Sequence, residues 1–497
     1  MFPWSPCIIF APLLFYMYER WRSVCTLFST ITVSCETIVL LLGMINIIIL
    51  LEGTRRRHLR QPSSPKPIEN MPSVLIIVPT CKENVAIIQQ TVHAVLAIDY
   101  PSNKLTIVIT DDGNDHELET FVHSCHCSHL HYKTRGLIKG HAKAGNINDT
   151  LFTKCIENGK PYYYYEGDFV LILDCDMVPK PDILKTMIPM MYDEKGELYG
   201  FVQSPQSFHN IKGFDFLGQN YYFFYRVVLK AWDGFDLGVP CCGTNVLFDR
   251  KALDKIGGFI YGSLTEDFKT SLKLHSLGIK TRYCDRELAT GYAPLTLVDF
   301  FNQRSRWAMG GLQIIFSNSI QDIYNLPVVY KWVYGFSGLS PFLSVFLFIL
   351  MIAPLMTAGD NNCNMEELKY IYSLAPYAIC YTLMLLYLHI DVGLSVFITS
   401  IQETIFMIPM MLWIIFVFCA KSMGITRFSW KITPKEHITS QYGSTMLWLS
   451  PYLIYIAAGI YIVSTVTDKF INTFWLVFMM FQLIPVPLYV LQSFYKR

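Results

Sequence analysis

Charged residues are scarce in this chain of 497 residues: Asp, Glu, Lys and Arg make up 16% of it, whereas hydrophobic residues make up 52%. A soluble protein of this length needs a larger charged shell, so the composition argues against an ordinary soluble globular protein. The net charge is only +1 at pH 7, which gives no reason to expect nucleic acid or another polyanion as a partner. Internal repeats and low-complexity tracts are also missing.

The 14 cysteines show no paired spacing, and most lie in the charged central part, where we expect free, reduced thiols. Cysteine and histidine do gather between 123 and 131. Zinc modules separate two ligand pairs by a longer loop, and these side chains are crowded. We therefore favour a structural helix-to-strand junction over a zinc site. The apolar start lacks a basic leader and a small-residue cleavage site, so no cleavable signal peptide is predicted.

Apolar residues gather at the two ends of the chain. Residues 28–51 carry a single charge, Glu36, over the roughly 20 residues that a membrane-crossing helix needs. Four arginines follow within 55–60, and by the positive-inside rule the chain then enters the cytosol. The opening stretch, 3–18, is shorter, and we favour a further span there over an interfacial position.

Five more apolar stretches follow the central part, at 336–358, 370–391, 400–419, 445–466 and 471–493. The terminal Lys496 and Arg497 favour a cytosolic C-terminus, which requires an even number of crossings. We expect the stretch at 400–419 to lie flat in the interface, because Gln402, Glu403 and Pro409 interrupt it.

The predicted organisation follows from these apolar and charged stretches. It comprises N-terminal membrane helices at 1–52, a linker at 53–72, a cytosolic domain at 73–320 and a membrane region at 321–497 with a cytosolic loop at 426–440.

The central part alternates between strand-like and helix-like segments. Three β-branched runs, at 73–79, 105–110 and 169–173, read as buried strands, and each ends in a polar cluster. In an open α/β sheet, nucleotides and phosphates bind at the carboxyl edge of the strands. The sequence thus predicts an α/β domain inserted between transmembrane helices, with its site at that edge.

Two acidic motifs follow predicted strands. Asp111 and Asp112 precede a glycine, and either carboxylate could contact a ribose or base, although the same residues also make a good turn. Asp174 and Asp176 are spaced to present oxygens to a hard divalent cation such as Mg²⁺ or Mn²⁺ on a diphosphate. A solvated loop is the alternative, and a buried strand that ends in two acids favours function.

Two later motifs each allow a structural and a functional interpretation. Thr265 is placed to cap a predicted helix whose first turn holds Glu266 and Asp267, and one of these carboxylates is a natural general base. Arg306 could hold a diphosphate and Trp307 could stack on a sugar. Arg and Trp also anchor proteins in the headgroup layer, and their position alone does not separate the two.

Seven motifs occur in a single order: Asp-Asp-Gly at 111–113, His-Ala-Lys-Ala-Gly-Asn at 141–146, Asp-Cys-Asp at 174–176, Gln-Ser-Pro-Gln at 203–206, Cys-Gly-Thr at 242–244, Thr-Glu-Asp at 265–267 and Gln-Arg-Ser-Arg-Trp at 303–307. This set resembles the processive family 2 glycosyltransferases, and most closely the catalytic subunit of bacterial-type cellulose synthase. The resemblance runs from about residue 20 to the C-terminus.

The resemblance implies a GT-A-like glycosyltransferase domain between transmembrane helices, in the plasma membrane with the domain and the C-terminus in the cytosol. It implies inverting, processive transfer of glucose from UDP-glucose to a growing β-glucan, with Mg²⁺ or Mn²⁺ as cofactor and export through the chain's own channel. Implied partners are UDP-glucose, the nascent polysaccharide and the lipid bilayer, but not nucleic acid. Homo-oligomers and accessory export proteins stay open.

Alternatives are a synthase of curdlan, mixed-linkage glucan, hyaluronan or chitin, and a non-processive transferase acting on a lipid. A catalytically dead scaffold is a third, which the intact carboxylates disfavour. The bacterial enzyme also has a C-terminal cyclic di-GMP domain, and we expect that regulation to be absent because the sequence ends at Arg497.

The resemblance also implies roles for individual residues. Asp267 would be the catalytic base, with Glu266 and Asp176 as further catalytic residues, and Asp174 and Asp176 would hold the metal. The residues implied to contact the UDP-sugar are Thr80, Glu83, Asp111, Asp112, Lys143, Asp174, Gln303, Arg306, Thr433 and Lys435. The residues implied to contact the acceptor are Trp307, Cys242 and Gly243.

Thr433 and Lys435 lie in a segment that resembles the family's gating loop, Phe-x-Val-Thr-x-Lys. Trp430 replaces its Phe and Ile432 replaces its Val. Because both changes keep the apolar character, insertion of this loop over bound UDP stays plausible, and an ordinary basic interfacial loop is the alternative.

Overall fold

The computed structural model describes residues 7–60, 71–136, 139–157, 160–211, 215, 218–294, 296–356, 367–425, 442–465 and 470–488. The strands are β1 (Val74–Thr80), β2 (Leu105–Asp111), β3 (Leu130–Thr134), β4 (Lys154–Glu157), β5 (Lys160–Tyr163), β6 (Phe169–Ile172), β7 (Val178–Pro179), β8 (Phe201–Gln203), β9 (Ser207–Phe208), β10 (Val246–Asp249), β11 (Arg282–Tyr283) and β12 (Ala289–Gly291).

Helices flank and follow these strands. They are α1 (Cys7–Arg22), α2 (Leu27–Leu59), α3 (Val85–Leu96), α4 (His116–Ser124), α5 (Ala142–Phe152), α6 (Ile183–Met190), α7 (Asn220–Phe223), α8 (Lys230–Trp232), α9 (Arg250–Ile256), α10 (Glu266–Ser276), α11 (Leu297–Ile315), α12 (Ile320–Tyr324), α13 (Val328–Met356), α14 (Glu367–Leu388), α15 (Leu394–Phe406), α16 (Ile408–Ser422), α17 (Tyr442–Thr465) and α18 (Phe470–Gln482). A π-helical segment, Phe224–Leu229, joins α7 to α8.

A seven-stranded mixed sheet forms the centre of the domain, in the order β11-β8-β10-β6-β1-β2-β3. Strands β6, β1, β2 and β3 are parallel, and β10 runs antiparallel to β6 and β8. The three predicted strands are β1, β2 and β6, which lie side by side. Their carboxyl ends therefore meet at one edge, as the sequence predicts.

Strand β1 is buried along its whole length because both faces of the sheet are covered. Val74, Ile76 and Val78 pack with residues of α3, such as Val92. The alternate residues, for example Leu75, belong to the cluster on the other face, which includes α5. This two-layer cover explains why the strand is a continuous apolar run rather than an alternating one.

In the part of the chain that the structure describes, five helical segments are long and apolar enough to cross a membrane: Leu27–Leu59, Val328–Met356, Glu367–Leu388, Thr445–Thr465 and Phe470–Leu488. Helix α1 has 16 residues and falls outside this set. Helices α15 and α16 meet at a bend of 43° and qualify only together, as a broken span or a re-entrant element. The interfacial position predicted for 400–419 stays a prediction.

Helix α2 continues to Leu59, into the segment predicted to be a linker. Glu52 forms ion pairs with Arg55 and Arg56, three and four residues further on, which supports helix at this point. Gly53 directly follows Glu52 in the chain. Its backbone oxygen lies against Gly234, a residue that follows the end of α8. The membrane helix thus packs directly on the domain.

Free thiols are found in the central part, as predicted, at Cys81, Cys125, Cys127, Cys241, Cys242 and Cys284. Cys25, before α2, is instead disulfide-bonded. Among the described residues, which include the stretch 123–131, no three His, Cys, Asp or Glu side chains are grouped to hold a metal ion. Cys127 Sγ instead lies 3.2 Å from His129 Nδ1 between α4 and β3. The interpretation of this stretch as a structural junction stays a prediction.

We expect Gly53→Ala to loosen the contact between α2 and the domain. An added Cβ would lie 2.2 Å from the backbone oxygen of Ala231 and 2.8 Å from the Phe235 ring. Because backbone atoms cannot move aside cheaply, the substitution should cost about 1–3 kcal/mol and lower the thermal midpoint of the detergent-solubilised protein.

The matched control is Gly335→Ala in α13, where no described atom lies within 4 Å of the new Cβ. It should leave the midpoint unchanged or slightly higher, because Ala favours helix over Gly. Equal midpoints for the two variants, measured by size-exclusion chromatography after heating, would contradict the proposed tight contact.

Candidate functional site

The polar ends of β1, β2 and β6 meet at one edge of the sheet. Thr80 pairs in register with Asp111, and Thr80 Oγ1 donates to Glu83 Oε2 at 2.7 Å. Thr80 and Asp111 are buried, with 4% and 1% of their surface exposed. Thr80 and Asp111, two of the residues predicted to contact the UDP-sugar, are therefore buried at this edge of the sheet.

Asp111 is committed to the turn that follows β2. Its carboxylate accepts hydrogen bonds from the Tyr132 hydroxyl (2.8 Å) and from the backbone N–H groups of Gly113 (2.5 Å) and Asp115 (2.7 Å). These bonds match the turn interpretation of the motif. The neighbouring Asp112 is the less buried of the two residues.

Asp112 forms an ion pair with Arg135, a residue that the motifs do not include. Arg135 Nε lies 2.8 Å from Asp112 Oδ1, and its Nη2 contacts the other oxygen. The same guanidinium donates to the backbone oxygens of Gly140 (2.7 Å) and Ala142 (3.1 Å). Hydrogen bonding to Asp112 raises the pKa of Arg135. One side chain thus joins the Asp-Asp-Gly turn to the loop before α5.

Lys143, in the first turn of α5, reaches into the centre of the site. Its Nζ lies 2.5 Å from Asp174 Oδ1 and 2.7 Å from the backbone oxygen of Gly243. Burial alone would lower the pKa of this lysine, but the nearby charges of Asp174, Glu266 and Asp267 outweigh burial and raise it. Lys143 is therefore a fixed cation among three carboxylates.

Asp267 lies on the other side of Gly243. Burial, and then the charge of Glu266, raises the pKa of Asp267 to about 7, although Lys143 and Arg306 oppose the shift. Gly243 has a φ of +85°, and a Cβ there would lie 2.7 Å from Asp267 Oδ2. A glycine is required at this point by its backbone conformation and by the closeness of the carboxylate.

The loop that carries Cys242 and Gly243 is held by the Gln-Ser-Pro-Gln motif. Gln203 Oε1 accepts from the Cys242 N–H at 2.8 Å, and Gln206 Nε2 donates to the Cys242 oxygen at 3.0 Å. The sequence analysis assigns no role to this motif. In the structure, its two side-chain amides hold the Cys242 loop in place beside Asp267.

Asp174 and Asp176 suit the divalent cation predicted there. The backbone N–H of Asp174 donates to Thr244 Oγ1 at 2.8 Å, which fixes the turn after β6, and Asp176 is 3% exposed. Mg²⁺ is usually held by one or two carboxylates together with phosphate oxygens and water. Two carboxylates that follow β6 therefore fit such a cation, and no third protein ligand is required.

Helix α11 brings the Gln-Arg-Ser-Arg-Trp motif to the same site. The Tyr221 hydroxyl hydrogen-bonds to Gln303 Oε1, and the rings of Tyr221 and Trp307 meet edge-to-face with centroids 6.2 Å apart. The Arg304 guanidinium lies 4.7 Å from the Trp307 ring centroid and 3.4 Å from Glu403 of α15. Packing therefore fixes the orientation of Trp307.

Thr265 occupies the residue before α10, as predicted, but its side chain does not cap that helix. Its hydroxyl lies 3.1 Å from Ser263 Oγ, which donates to the Gly310 oxygen of α11 at 3.0 Å. A Cβ on Gly310 would lie 2.4 Å from Thr265 Oγ1. The predicted side-chain cap is therefore wrong, although Thr265 does occupy the N-cap position. Its side chain instead packs against α11, the helix that carries Trp307.

The remaining predicted contacts, Thr433 and Lys435, lie outside the described residues, as do Trp430 and Ile432. Their roles stay predictions.

Comparison with known proteins identifies the family. A model described as "Glycosyl transferase family group 2" matches residues 169–484. The chain is 38% identical to a UDP-forming cellulose synthase catalytic subunit of Dictyostelium discoideum over 218 residues, which cover 44% of this chain and 20% of that protein. It is 28% identical to the UDP-forming cellulose synthase catalytic subunit of Komagataeibacter sucrofermentans over 368 residues, 71% of this chain and 47% of that protein. The chain thus spans less than half the length of these relatives.

Among solved structures, a mannosyltransferase from Pyrobaculum calidifontis in complex with GDP-Man and Mn²⁺ superposes with a TM-score of 0.50 at 20% identity. The match covers 74% of this chain and 98% of that chain, and it confirms the predicted GT-A-like fold. Since the family model covers most of the chain and the fold agrees with it, the chain belongs to the family 2 glycosyltransferases.

Proposed function

We propose that this protein transfers glucose from UDP-glucose, processively and with inversion, to a growing β-1,4-glucan that leaves through its membrane region. The observation that carries the proposal is the convergence of Lys143, Asp174 and Asp267 around Gly243, beside the helix that bears Trp307. The relatives named UDP-forming cellulose synthases support UDP-glucose as the donor and glucan as the product.

Asp267 is the proposed base. It takes the proton of the acceptor hydroxyl while that oxygen forms a bond to the anomeric carbon, and the bond from this carbon to the diphosphate breaks with UDP as the leaving group. No second nucleophilic carboxylate is needed, so an α-linked donor gives a β-linked product in a single displacement. The raised pKa of Asp267 suits a group that must accept a proton near neutral pH.

Cations are proposed to hold the donor. Lys143 and Arg306 lie near Asp267, and we propose that both neutralise charge of the diphosphate. Mg²⁺ or Mn²⁺ held by Asp174 and Asp176 would supply further charge neutralisation on the leaving diphosphate. The Arg135-bound carboxylate of Asp112 is the proposed contact of the uridine.

The acceptor is proposed to lie on Trp307, with its terminal sugar beside Cys242 and Gly243. Aromatic rings stack well on sugar faces, and the packing of Tyr221 and Arg304 holds this ring in place. We further propose that the domain lies in the cytosol of a plasma-membrane protein and that Thr433 and Lys435 close over bound UDP.

The test of this proposal uses purified protein in nanodiscs with radiolabelled UDP-glucose and Mg²⁺ or Mn²⁺, followed by linkage-specific digestion of the insoluble product. A product that only a β-1,4-specific cellulase degrades supports cellulose synthesis. A product that β-1,3-specific or lichenan-specific enzymes degrade would instead indicate a β-1,3-glucan or a mixed-linkage glucan. Product from UDP-N-acetylglucosamine but not from UDP-glucose would overturn the sugar.

We expect Asp267→Asn to lower polymer formation by roughly 10²–10⁴-fold, the usual contribution of a positioned general base. Affinity for UDP, measured by isothermal titration calorimetry, should stay close to wild type because the shape of the side chain is kept. Asp182→Asn removes a more exposed carboxylate, the partner of Arg286, and should keep full activity. Lost UDP affinity in Asp267→Asn would contradict the assignment of the base.

The pH dependence of kcat/KM should show an acid limb near pH 7, because only ionised Asp267 accepts a proton and its pKa is raised to about 7. Lys143 stabilises that carboxylate, so Lys143→Gln should move the limb of its residual activity to higher pH. Lys255→Gln, an exposed lysine of α9, should leave the limb in place. A wild-type limb near pH 4 would exclude Asp267 as the base.

Arg135→Met should raise the KM for UDP-glucose more than it lowers kcat, because Arg135 orients the proposed uridine contact, Asp112. Removing one partner of a buried ion pair typically costs about 3–5 kcal/mol of stability, and Asp112 and Arg135 have side chains 9% and 7% exposed. Asp112→Asn combined with Arg135→Met should recover part of the stability but not the KM. Thermal unfolding and initial rates measure the two effects, and an unchanged KM would show a purely structural role.

A further inference from the structure

A basic cavity of about 280 Å³ lies where α2 meets the domain, and we call it the α2 cavity. The residues that line it are Thr54, Arg57, His58, Arg60 and Lys230. Four of the five side chains are basic, and no lining residue is acidic. The proposed glycosyl transfer uses none of them.

The cavity begins within the layer of lipid headgroups and extends just beyond it. The apolar part of the candidate span ends near Leu51, and with a rise of 1.5 Å per residue Thr54 and Arg57 follow roughly 5 and 9 Å beyond it. Each headgroup layer adds roughly 5–8 Å to the hydrocarbon core. Basic pockets beside membrane helices at this depth typically bind the headgroups of anionic lipids.

Carboxylates surround the lining cations without saturating their donors. Arg57 lies 3.3 Å from Asp233 and 3.5 Å from Asp285, and Arg60 lies 3.8 Å from Asp233. These separations are longer than good charged hydrogen bonds. Within the described part of the chain, Arg57 Nη1 is buried without a hydrogen-bond partner. The side chains of Arg57, Arg60 and Lys230 keep 20%, 30% and 24% of their surface exposed, so cationic surface remains for an anion that enters the cavity.

The joint beneath the cavity is tightly packed. Gly53 and Gly234 allow α2 and α8 to meet backbone to backbone, and Lys230 is held by Asp285 at 3.1 Å and Asp391 at 3.3 Å. Side chains that are already fixed lose little entropy when they bind a ligand. The cations are thus presented from two helices in one arrangement.

We propose that the α2 cavity binds the phosphate group of an anionic membrane lipid. Free phosphate has the same chemistry, but the depth of the cavity beside an apolar span favours a lipid as its source. This proposal is independent of the sugar and linkage proposed above, and it concerns binding alone.

The chain offers a matched pair of variants for the test. Arg57→Gln with Arg60→Gln removes two charges from the cavity. Arg55→Gln with Arg56→Gln removes two charges from the same end of α2, where the side chains are more exposed and pair with Glu52 at 2.7 Å. The proteins are released from nanodiscs of phosphatidylcholine and phosphatidylglycerol, and lipid adducts are measured by native mass spectrometry.

Wild type and the control double variant should retain phosphatidylglycerol in preference to phosphatidylcholine. The cavity variant should lose this preference by roughly fivefold for each cation removed, the typical contribution of one Lys or Arg beside an anionic surface. Equal losses in the two double variants, or no preference in wild type, would overturn the proposal. Displacement of the lipid by inorganic phosphate at equal concentration would overturn the lipid as the source.

A second pair keeps every ion pair intact, in case removal of Arg57 unfolds the joint. Thr54→Glu places a carboxylate in the cavity, and Thr54→Gln adds nearly the same volume without charge. Thr54→Glu should lose phosphatidylglycerol adducts while Thr54→Gln retains more of them. If the two variants bind the lipid equally, charge in the cavity does not control binding and the proposal fails.

Discussion

The close approach of Lys143, Asp174 and Asp267 around Gly243 is the constraint on which the rest of the site depends. A buried cation and its carboxylates are stable only together, because each charge alone would carry a large desolvation cost. Four separate parts of the chain must therefore be held in register. The Gln-Ser-Pro-Gln amides hold the Cys242 loop, Thr244 fixes the turn of Asp174, and Ser263 with Thr265 fastens the Asp267 segment to α11. In this sense the family motifs are one packing unit.

Much of this fold and site is predictable from the sequence because the signals are local. The β-branched runs of β1, β2 and β6 are too apolar to be anything but buried, and their polar ends mark the correct edge. The turn at Asp-Asp-Gly is also predictable from local sequence. Which of its two aspartates is available to contact a ligand is not. It depends on Tyr132 and Arg135, which reach it from β3 and the loop beyond.

Arg135 itself lies 23 residues from Asp112 and belongs to no motif, so only tertiary packing reveals it. Tertiary packing also explains why the prediction for Thr265 fails. Its position predicts a cap, yet Gly310 of α11 lies so close that the hydroxyl turns to the Ser263 contact instead. The end of α2 also escapes prediction, because a run of arginines after an apolar stretch reads as a boundary. The ion pairs of Glu52 and the contact of Gly53 with α8 stabilise helical structure beyond this boundary, and α2 ends only at Leu59.

The helical run from α7 through Phe224–Leu229 to α8 connects two regions that the sequence treats separately. At one end, Tyr221 bonds to Gln303 in the helix of Trp307; at the other, Lys230 lines the α2 cavity. A π-helical segment between them has a wider turn than an α-helix, and such segments are frequent at functional sites. Because α2 packs backbone to backbone on α8, the apolar span and the helix beside the proposed acceptor platform share a rigid support. Close packing of glycines and the ion pairs of Arg57 and Lys230 therefore fix α2 against the domain.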